Sequence, residues 1–472
     1  MGQELDRLEW REEDFALFVE RLKAETDLVE QWERDGALSD GPATGGFELE
    51  AWLVDADMQP APMNADIIAA AANDLIVPEL SRFNIEFNGD PAELTGAALS
   101  TLHHRLQATW DHASAVAAEQ NLRIAMTGIL PTITSAHMRI DNMSASNRYR
   151  ALDEHVFRLR KGKPIRLTIE GRDRLDDVHR DVMLEAATTS FQMHLKVPPA
   201  KAAAYYNAAK LVSAPLVAVS PNSPYLFGAD LWAESRIPLF EQAVSVGEWD
   251  YAERVTFGVR FIEDGLSEVF RANRQRYPIL LPILSDAPPE TLPHLKLHNG
   301  TIWRWNRALV GWDPDSTPHY RLEQRVVPAG PTLTDSIANA AFFYGLITAL
   351  AEHETPPEKR CQFFTARDNF YACAKAGLDA QVRWDHQDGQ PIARRILETL
   401  LPMAGDGLDR LGIAAGERDY YLGIIEARVT SGQNGATWQR RYVAEHGTDM
   451  ASLLAAYLDR QESGESVHMW SI

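Results

Sequence analysis

"GGFELEAWLVD", residues 45–55, sets two glutamates two positions apart in an otherwise apolar run. Side chains two apart on a strand share a face. Glu48 and Glu50 therefore point one way, and Phe47, Leu49 and Leu53 the other. Like charges side by side on a strand are unfavourable unless something positive sits between them.

Three further stretches alternate in the same way. "RFNIEFNG" (82–89) opposes Phe83, Ile85 and Phe87 to Asn84, Glu86 and Asn88. "SFQMHLKV" (190–197) opposes Phe191, Met193, Leu195 and Val197 to Gln192, His194 and Lys196. "HYRLEQRV" (319–326) opposes Tyr320, Leu322 and Val326 to Arg321, Glu323 and Arg325. A sheet with one wet face also alternates. Wet faces favour Thr, Lys and Ser, however, and these four carry Glu, His and Arg with a single Lys. If the strands are neighbours, their carboxylates and imidazole make an oxygen-rich site suited to Mg²⁺ or Mn²⁺ rather than zinc. The arginines add a planar fork for carboxylate or phosphate. Metal ligands at one end and Arg at the other fit ATP bridged by Mg²⁺ beside a second anionic substrate. The chain has neither a G-x-x-x-x-G-K-[ST] loop nor a G-x-G-x-x-G turn, so phosphates would be held by metal and Arg.

Around these strands, residues 1–35 read as one or two amphipathic helices and "SDGPATGG" (39–46) as a loop. The stretch after Gly96 reads as a long helix leading to a strand in "LRIAMTGILPT" (122–132). "NRYRALDEHVFRLRKGKP" reads as helix then turn, and "IRLTIEG" (165–171) as a strand. "AKAAAYYNAAKLVSAPLVAVS" reads as a helix kinked at Pro215. "HYRLEQRVVPAGP" (319–331) is the last clear strand. From Thr334, a candidate N-cap, the pattern is helical to the end. Strands do not alternate regularly with single helices, which predicts an α+β fold with an antiparallel or mixed sheet covered by helices on one face.

Composition narrows the function classes. The chain has 472 residues, 45% hydrophobic and 24% charged, enough for a large core. Its 46 Lys and Arg against 67 Asp and Glu leave a formal charge of −21, which argues against nucleic acid and anionic membrane as partners. Small anionic substrates remain compatible, since a few arginines in a cleft override the overall field. Cys361 and Cys373 make neither a disulfide framework nor a zinc site. The N-terminus is acidic rather than signal-like, and no run approaches the roughly 20 apolar residues of a membrane span. These features predict a cytoplasmic protein acting on small molecules.

The order of "GGFELEAWLVD", "IEFNGDPAELTG", "SFQMHLKV", "AVSPNSPYLFG" with "ESR", and "RLEQRVVPAGPTLTDSIANAA" resembles the glutamate–cysteine ligase family over about residues 45–350. It is closest in pattern to the second, bacterial and plant-type branch, within the carboxylate–amine ligases. The resemblance implies a glutamine-synthetase-like curved antiparallel sheet with surrounding helices. It divides the chain into an N-terminal helical extension (1–44), a catalytic region (45–350) and a helical C-terminal portion (351–472) on the same domain. It implies ATP as co-substrate, Mg²⁺ or Mn²⁺ as cofactor, and phosphorylation of a glutamate side-chain carboxylate followed by attack of an amine, cysteine in the leading reading. A different acid or amine, or a non-catalytic ligand-binding homologue, are the alternatives. Guanidino phosphotransfer on the same fold is disfavoured by the Glu48–Glu50 pair and the ordered histidine.

By the same resemblance, Glu48, Glu50, Glu86, His194 and Glu323 match metal ligands, and Glu79, seven residues before Glu86, an acidic ligand of a related branch. Arg325 matches an arginine at the transferred phosphoryl group. Arg236, with Asn222 and Ser223, matches the amino-acid site, and Arg321 is a further substrate contact. The match is weak over 240–315, where "LHNGTIWRWNRALVGWDPD" carries three Trp that read as core. On this reading Glu48→Ala or Glu323→Ala abolishes turnover and leaves the unfolding midpoint within a few degrees.

Overall fold

The computed structural model describes residues 10–246, 253–384 and 389–472. The first nine residues of the expected N-terminal helices lie outside the described residues. The rest of that segment is one helix, α1 (Glu12–Asp35), ended by Gly36 in the left-handed region (φ 67°).

The sheet has eight strands: β1 (Thr44–Val54), β2 (Ile76–Pro78), β3 (Asn84–Asn88), β4 (Ala92–Glu93), β5 (Arg123–Ala125), β6 (Phe191–Val197), β7 (Asn306–Trp312) and β8 (Pro318–Gln324). Their order is β7-β8-β6-β1-β3-β2, with β4 and β5 also pairing with β1, and every pairing is antiparallel. The four stretches that alternate in the sequence are thus four consecutive strands, β8-β6-β1-β3. The expected strand over 122–132 is only the three residues of β5, and "IRLTIEG" pairs with Arg174–His179 in a separate hairpin. β7 was not anticipated. It lies in the Trp-rich stretch, where Leu309 on the polar side blurs the alternation. Of its three Trp, expected in the core, Trp305 is fully buried, whereas Trp303 and Trp312 are only half-buried against the core.

The register follows from burial. Phe47, Leu49, Phe87, Phe191, Met193, Leu195 and Leu322 are all at most 2% exposed and share one face. A one-residue slip of β6 against β1 would turn its apolar side chains onto the polar face, losing about 1.5–3 kcal/mol for each. Helices α2 (Ala98–Glu119), α4 (Ala202–Val219) and α5 (Leu333–Ala351) cover this apolar face, whereas α3 (Asn147–Leu159) contributes to a second buried cluster. Gly45 permits the approach of α5: a Cβ there would lie 2.8 Å from both Leu94 and the ring of Tyr344. The Tyr344 hydroxyl then donates to the Gly46 carbonyl at 2.9 Å.

Helix α5 starts two residues earlier than the sequence suggested. Thr332, not Thr334, is its N-cap and accepts from the Asp335 amide. By length and composition α5 could cross a membrane, contrary to the expectation that no run comes near this. It is a core helix, with 94% of its apolar window buried. The C-terminal helices include Phe363–Ala376, Leu401–Leu411 and Ala415–Ser431, all contributing to the same buried cluster. Cys361 and Cys373 are both buried and form no disulfide among the described residues, and burial pushes the Cys373 thiol up.

Candidate functional site

The register places the predicted side chains on the face of the sheet turned away from α2, α4 and α5. Glu50 stands opposite Glu86, and Glu48 opposite Gln192. His194 stands opposite Gly46 on one side and Glu323 on the other. Arg321 lies opposite Lys196, and Arg307 of β7 opposite Glu323. The side chains fall into two groups.

In the first group, carboxylate oxygens of Glu50, Glu79 and Glu86 all lie within 4.8 Å of one another. Glu79 comes from the turn after β2, so Glu79 does join the strand glutamates. Little within the fold neutralises them. Glu50 accepts from the Ser190 amide (2.6 Å), the Ser190 hydroxyl (3.0 Å) and Gln192 Nε2 (2.7 Å). Glu86 accepts from Asn88 Nδ2 at 3.1 Å. Burial, then the charge of Glu79, pushes Glu50 up to about 7. Burial, then Glu48 and Glu79, pushes Glu86 well above the carboxylate range, and burial raises Glu79 too.

The second group is built around Glu323, whose side chain is fully buried. Arg307 Nη2 meets its Oε2 at 2.7 Å and Arg325 Nη1 its Oε1 at 2.6 Å. Burial alone would raise this carboxyl, but Arg307, then Arg325 and His194, hold it well below its usual range. His194 Nε2 is 3.3 Å from Glu48 Oε1 and 4.0 Å from Glu323 Oε2. Neither His194 ring nitrogen has hydrogen-bonding geometry to any group among the described residues. Despite burial, the nearby His194 keeps Glu48 below its usual range.

The donor set fits hard divalent cations. Three crowded carboxylates need positive charge, and a buried imidazole between two carboxylates with both nitrogens unbonded is an available ligand. Gln192 joins the groups: its Nε2 donates to Glu50 and its Oε1 accepts from Arg325 Nη1. The Nε atoms of Arg307, Arg321 and Arg325 are buried and without a hydrogen-bond partner among the described residues.

Three expected substrate contacts are engaged within the fold. Arg236 is buried, with Nε on Glu234 (3.1 Å) and Nη2 on the carbonyls of Arg325 (3.1 Å) and Val326 (2.7 Å). Asn222 is fully buried, and its Nδ2 donates to the Ala329 carbonyl and the Tyr457 hydroxyl. Ser223 Oγ accepts from the Arg236 amide. These groups brace the chain leaving β8 beneath Arg325, and those bonds leave Asn222 and Ser223 facing the fold rather than a substrate.

Arg307 belongs to the site, meeting Glu323, but escaped the sequence reading. Arg307 left a signal, being the charge opposite Ala308 and Val310 in a short strand. A separate cavity of about 900 Å³, lined by residues including Lys163, Arg166, Phe257 and Tyr371, includes none of the predicted site residues.

The crowding predicts a pH effect. A Glu50 pKa raised to about 7 from 4.5 means that the folded state binds this proton more tightly than the unfolded chain does. Its contribution to stability is complete below 4.5 and is lost as the pH rises through about 7. The unfolding midpoint of metal-free protein, relative to Glu50→Gln, is expected to fall between about pH 5 and about pH 8. Calorimetry of both proteins across that window checks this, and parallel curves would refute it.

The chain was compared with known proteins. A family model described as glutamate–cysteine ligase family 2 matches residues 44–466. A candidate glutamate–cysteine ligase 2 of Trichormus variabilis is 28% identical over 163 residues, covering 33% of this chain. The match spans 40% of that relative's length. Among solved structures, the glutamate–cysteine ligase of Francisella tularensis in complex with AMP superposes with a TM-score of 0.55 at 13% identity, over 91% of this chain and 95% of that one. A bifunctional glutathione synthetase of Pasteurella multocida gives a TM-score of 0.52 at 12% identity, over 93% of this chain and 55% of the other. At these identities the likeness speaks for the fold: an α+β fold around a curled antiparallel sheet, as the sequence suggested.

Proposed function

The chain belongs to the glutamate–cysteine ligase family 2, and from that premise we propose that it is an ATP- and divalent-metal-dependent carboxylate–amine ligase. Its acid substrate would be glutamate or a close analogue, joined through the side-chain carboxylate by way of an acyl phosphate. Its amine would be cysteine or another small primary amine. The observation that carries this reading is the convergence of Glu50, Glu79 and Glu86 within 4.8 Å, beside the Glu48–His194–Glu323 group and its arginines.

Glu50, Glu79 and Glu86 would hold one cation, and Glu48, His194 and Glu323 a second. Bound there, Mg²⁺ or Mn²⁺ would neutralise phosphate charge so that a carboxylate oxygen can attack the γ-phosphorus. Arg325 is fixed at Nη1 by Glu323 and Gln192 and would offer its remaining donors to the transferred phosphoryl group. Arg321, with no ion pair inside the fold among the described residues, would meet a further phosphate or carboxylate oxygen. Donors held in place before the reaction need no reorganisation as charge develops. Arg307 keeps Glu323 ionised, which both a metal and Arg325 require. No enzyme nucleophile is needed.

The test is ADP release with ATP, Mg²⁺, glutamate and a panel of amines including cysteine. A γ-linked amide should accumulate with ADP, and chelation by EDTA should stop both. ADP release indifferent to acid and amine, or undiminished by EDTA, would overturn the reading.

A further inference from the structure

We propose that the cavity of about 900 Å³ is a second small-molecule site, and that its ligand is a small zwitterion whose ammonium bonds Glu241 and whose acid group lies toward Lys161 and Arg166. This goes beyond the ligase reading and does not rest on it.

Among the described residues the cavity is walled by the end of α3 with the turn into Ile165, by helix Arg236–Ala243, by the stretch 255–258 and by helix Phe363–Ala376. Leu159, Ile165, Val255 and Phe257 supply apolar wall for the body of a ligand. Glu241 supplies a carboxyl held in one orientation. Its Oε1 accepts from Trp305 Nε1 at 2.8 Å and from the Tyr371 hydroxyl at 2.7 Å. Both bonds fall on the same oxygen, and Oε2 accepts none among the described residues. Oε2 is nevertheless not one of the occluded polar atoms that lack a partner, so it keeps accessible surface. Because Glu241 lines the cavity, that surface opens into it.

No Lys or Arg among the described residues pairs with Glu241. The Arg160 guanidinium is spent on the carbonyls of Lys163 (3.0 Å), Pro164 (2.7 Å) and Ser245 (2.5 Å), and Arg367 Nη2 turns to Asp368 at 3.1 Å. Burial pushes the Glu241 carboxyl up to about 7, although the bonds from Trp305 and Tyr371 pull the other way. A charged donor brought by a ligand is the partner that such an oxygen binds most tightly. The remaining charges of the lining are mostly basic, and Lys161 and Arg166 are exposed at its rim. A bare cation would be repelled there, whereas a zwitterion satisfies both ends. Trp305, which fixes Glu241, also holds the metal-site strand: its carbonyl accepts from the Arg325 amide at 3.0 Å. Two sources therefore share this chemistry, an amino acid used as the amine to be joined and an amino acid that is bound but not consumed.

The test is calorimetric binding in EDTA without nucleotide, at a pH above about 7 so that Glu241 is ionised. Cysteine, leucine and phenylalanine are each titrated beside a relative lacking the ammonium (3-mercaptopropionate, isocaproate, hydrocinnamate) and one lacking the carboxylate (cysteamine, isoamylamine, phenethylamine). Wild type should bind at least one of the three amino acids about 10-fold or more tightly than either of its relatives. Glu241→Gln keeps an oxygen for Trp305 and Tyr371 but turns an N–H donor to the ligand, and should lose the preference for the ammonium. Lys161→Ala with Arg166→Ala should lose the preference for the carboxylate. Glu86→Gln, altered at the proposed metal site, should bind as wild type does. The proposal is overturned if wild type prefers none of the three amino acids over both relatives, if either cavity variant keeps the preference it should lose, or if Glu86→Gln loses binding. Amide formation with ATP, Mg²⁺ and glutamate then separates the sources: the bound amino acid is the acceptor if it is consumed and an effector if it is not. Failure of every amine to yield an amide defeats the ligase reading alone, because binding is read without metal or nucleotide.

Discussion

Glu323→Gln is expected to lower amide formation by at least about 10²- to 10³-fold, the loss seen when one preorganised charge-stabilising group is removed. The effect is large because Glu323 serves three partners. It meets Arg307 and Arg325 at 2.7 and 2.6 Å and lies 4.0 Å from His194. Neutralising it frees Arg325 from its position and removes one ligand of the proposed second cation. The same change should also destabilise the fold. Two buried guanidinium groups would face an uncharged amide, and breaking a buried ion pair from one side costs about 3–5 kcal/mol. Glu323→Ala should cost at least as much. The alternating pattern suggested that Glu323→Ala would leave the midpoint nearly unchanged; the two buried arginines reverse that expectation. Glu48 is half-buried and its one ion pair among the described residues is with His194, so Glu48→Ala remains the variant that should lose activity with little change in midpoint. Steady-state ADP release and thermal unfolding of both variants check this. A Glu323→Gln protein with wild-type turnover would exclude Glu323 from the chemistry.

Glu86→Gln should act in the opposite sense on stability. Burial, then repulsion from Glu48 and Glu79, holds the Glu86 carboxyl well above its usual range. In the metal-free protein at or above neutral pH that charge is a burden, and an uncharged amide relieves it. The unfolding midpoint in EDTA should therefore be equal to or higher than that of wild type, a gain of stability at a functional position. Activity should move the other way: the Mg²⁺ concentration for half-maximal activity should rise by at least about 10- to 100-fold. Mg²⁺ should also stabilise wild type more than the variant, because binding to the folded state alone raises the midpoint. A Glu86→Gln protein that is less stable in EDTA yet unchanged in its Mg²⁺ requirement would make Glu86 a structural partner.

Glu48, Glu50, Glu86, His194 and Glu323 were legible as one set because strand alternation has a period of two. A short window therefore reveals which side chains share a face, and an apolar face such as Phe191, Met193 and Leu195 leaves one register open. The antiparallel α+β sheet could be read for the same reason. Thr332 and Thr334 show where local signals end: either can cap a helix, and packing of Leu333 and Ile337 into the core selects the first. Arg307 was hidden because Leu309 interrupts the alternation of its strand.

What the sequence determined by itself was local: which residues lie on the polar side of β1, β3, β6 and β8, and hence that an acidic, metal-suited surface exists. What only the tertiary structure decided was which charges compensate which. Glu323 is matched by arginines from β7 and from beyond β8, while Glu50, Glu79 and Glu86 are left crowded. Arg236, a charge like theirs in the sequence, is turned to bracing Glu234 and two carbonyls. Coulomb energy depends on distance and burial, and both are set by how the strands and turns pack against one another.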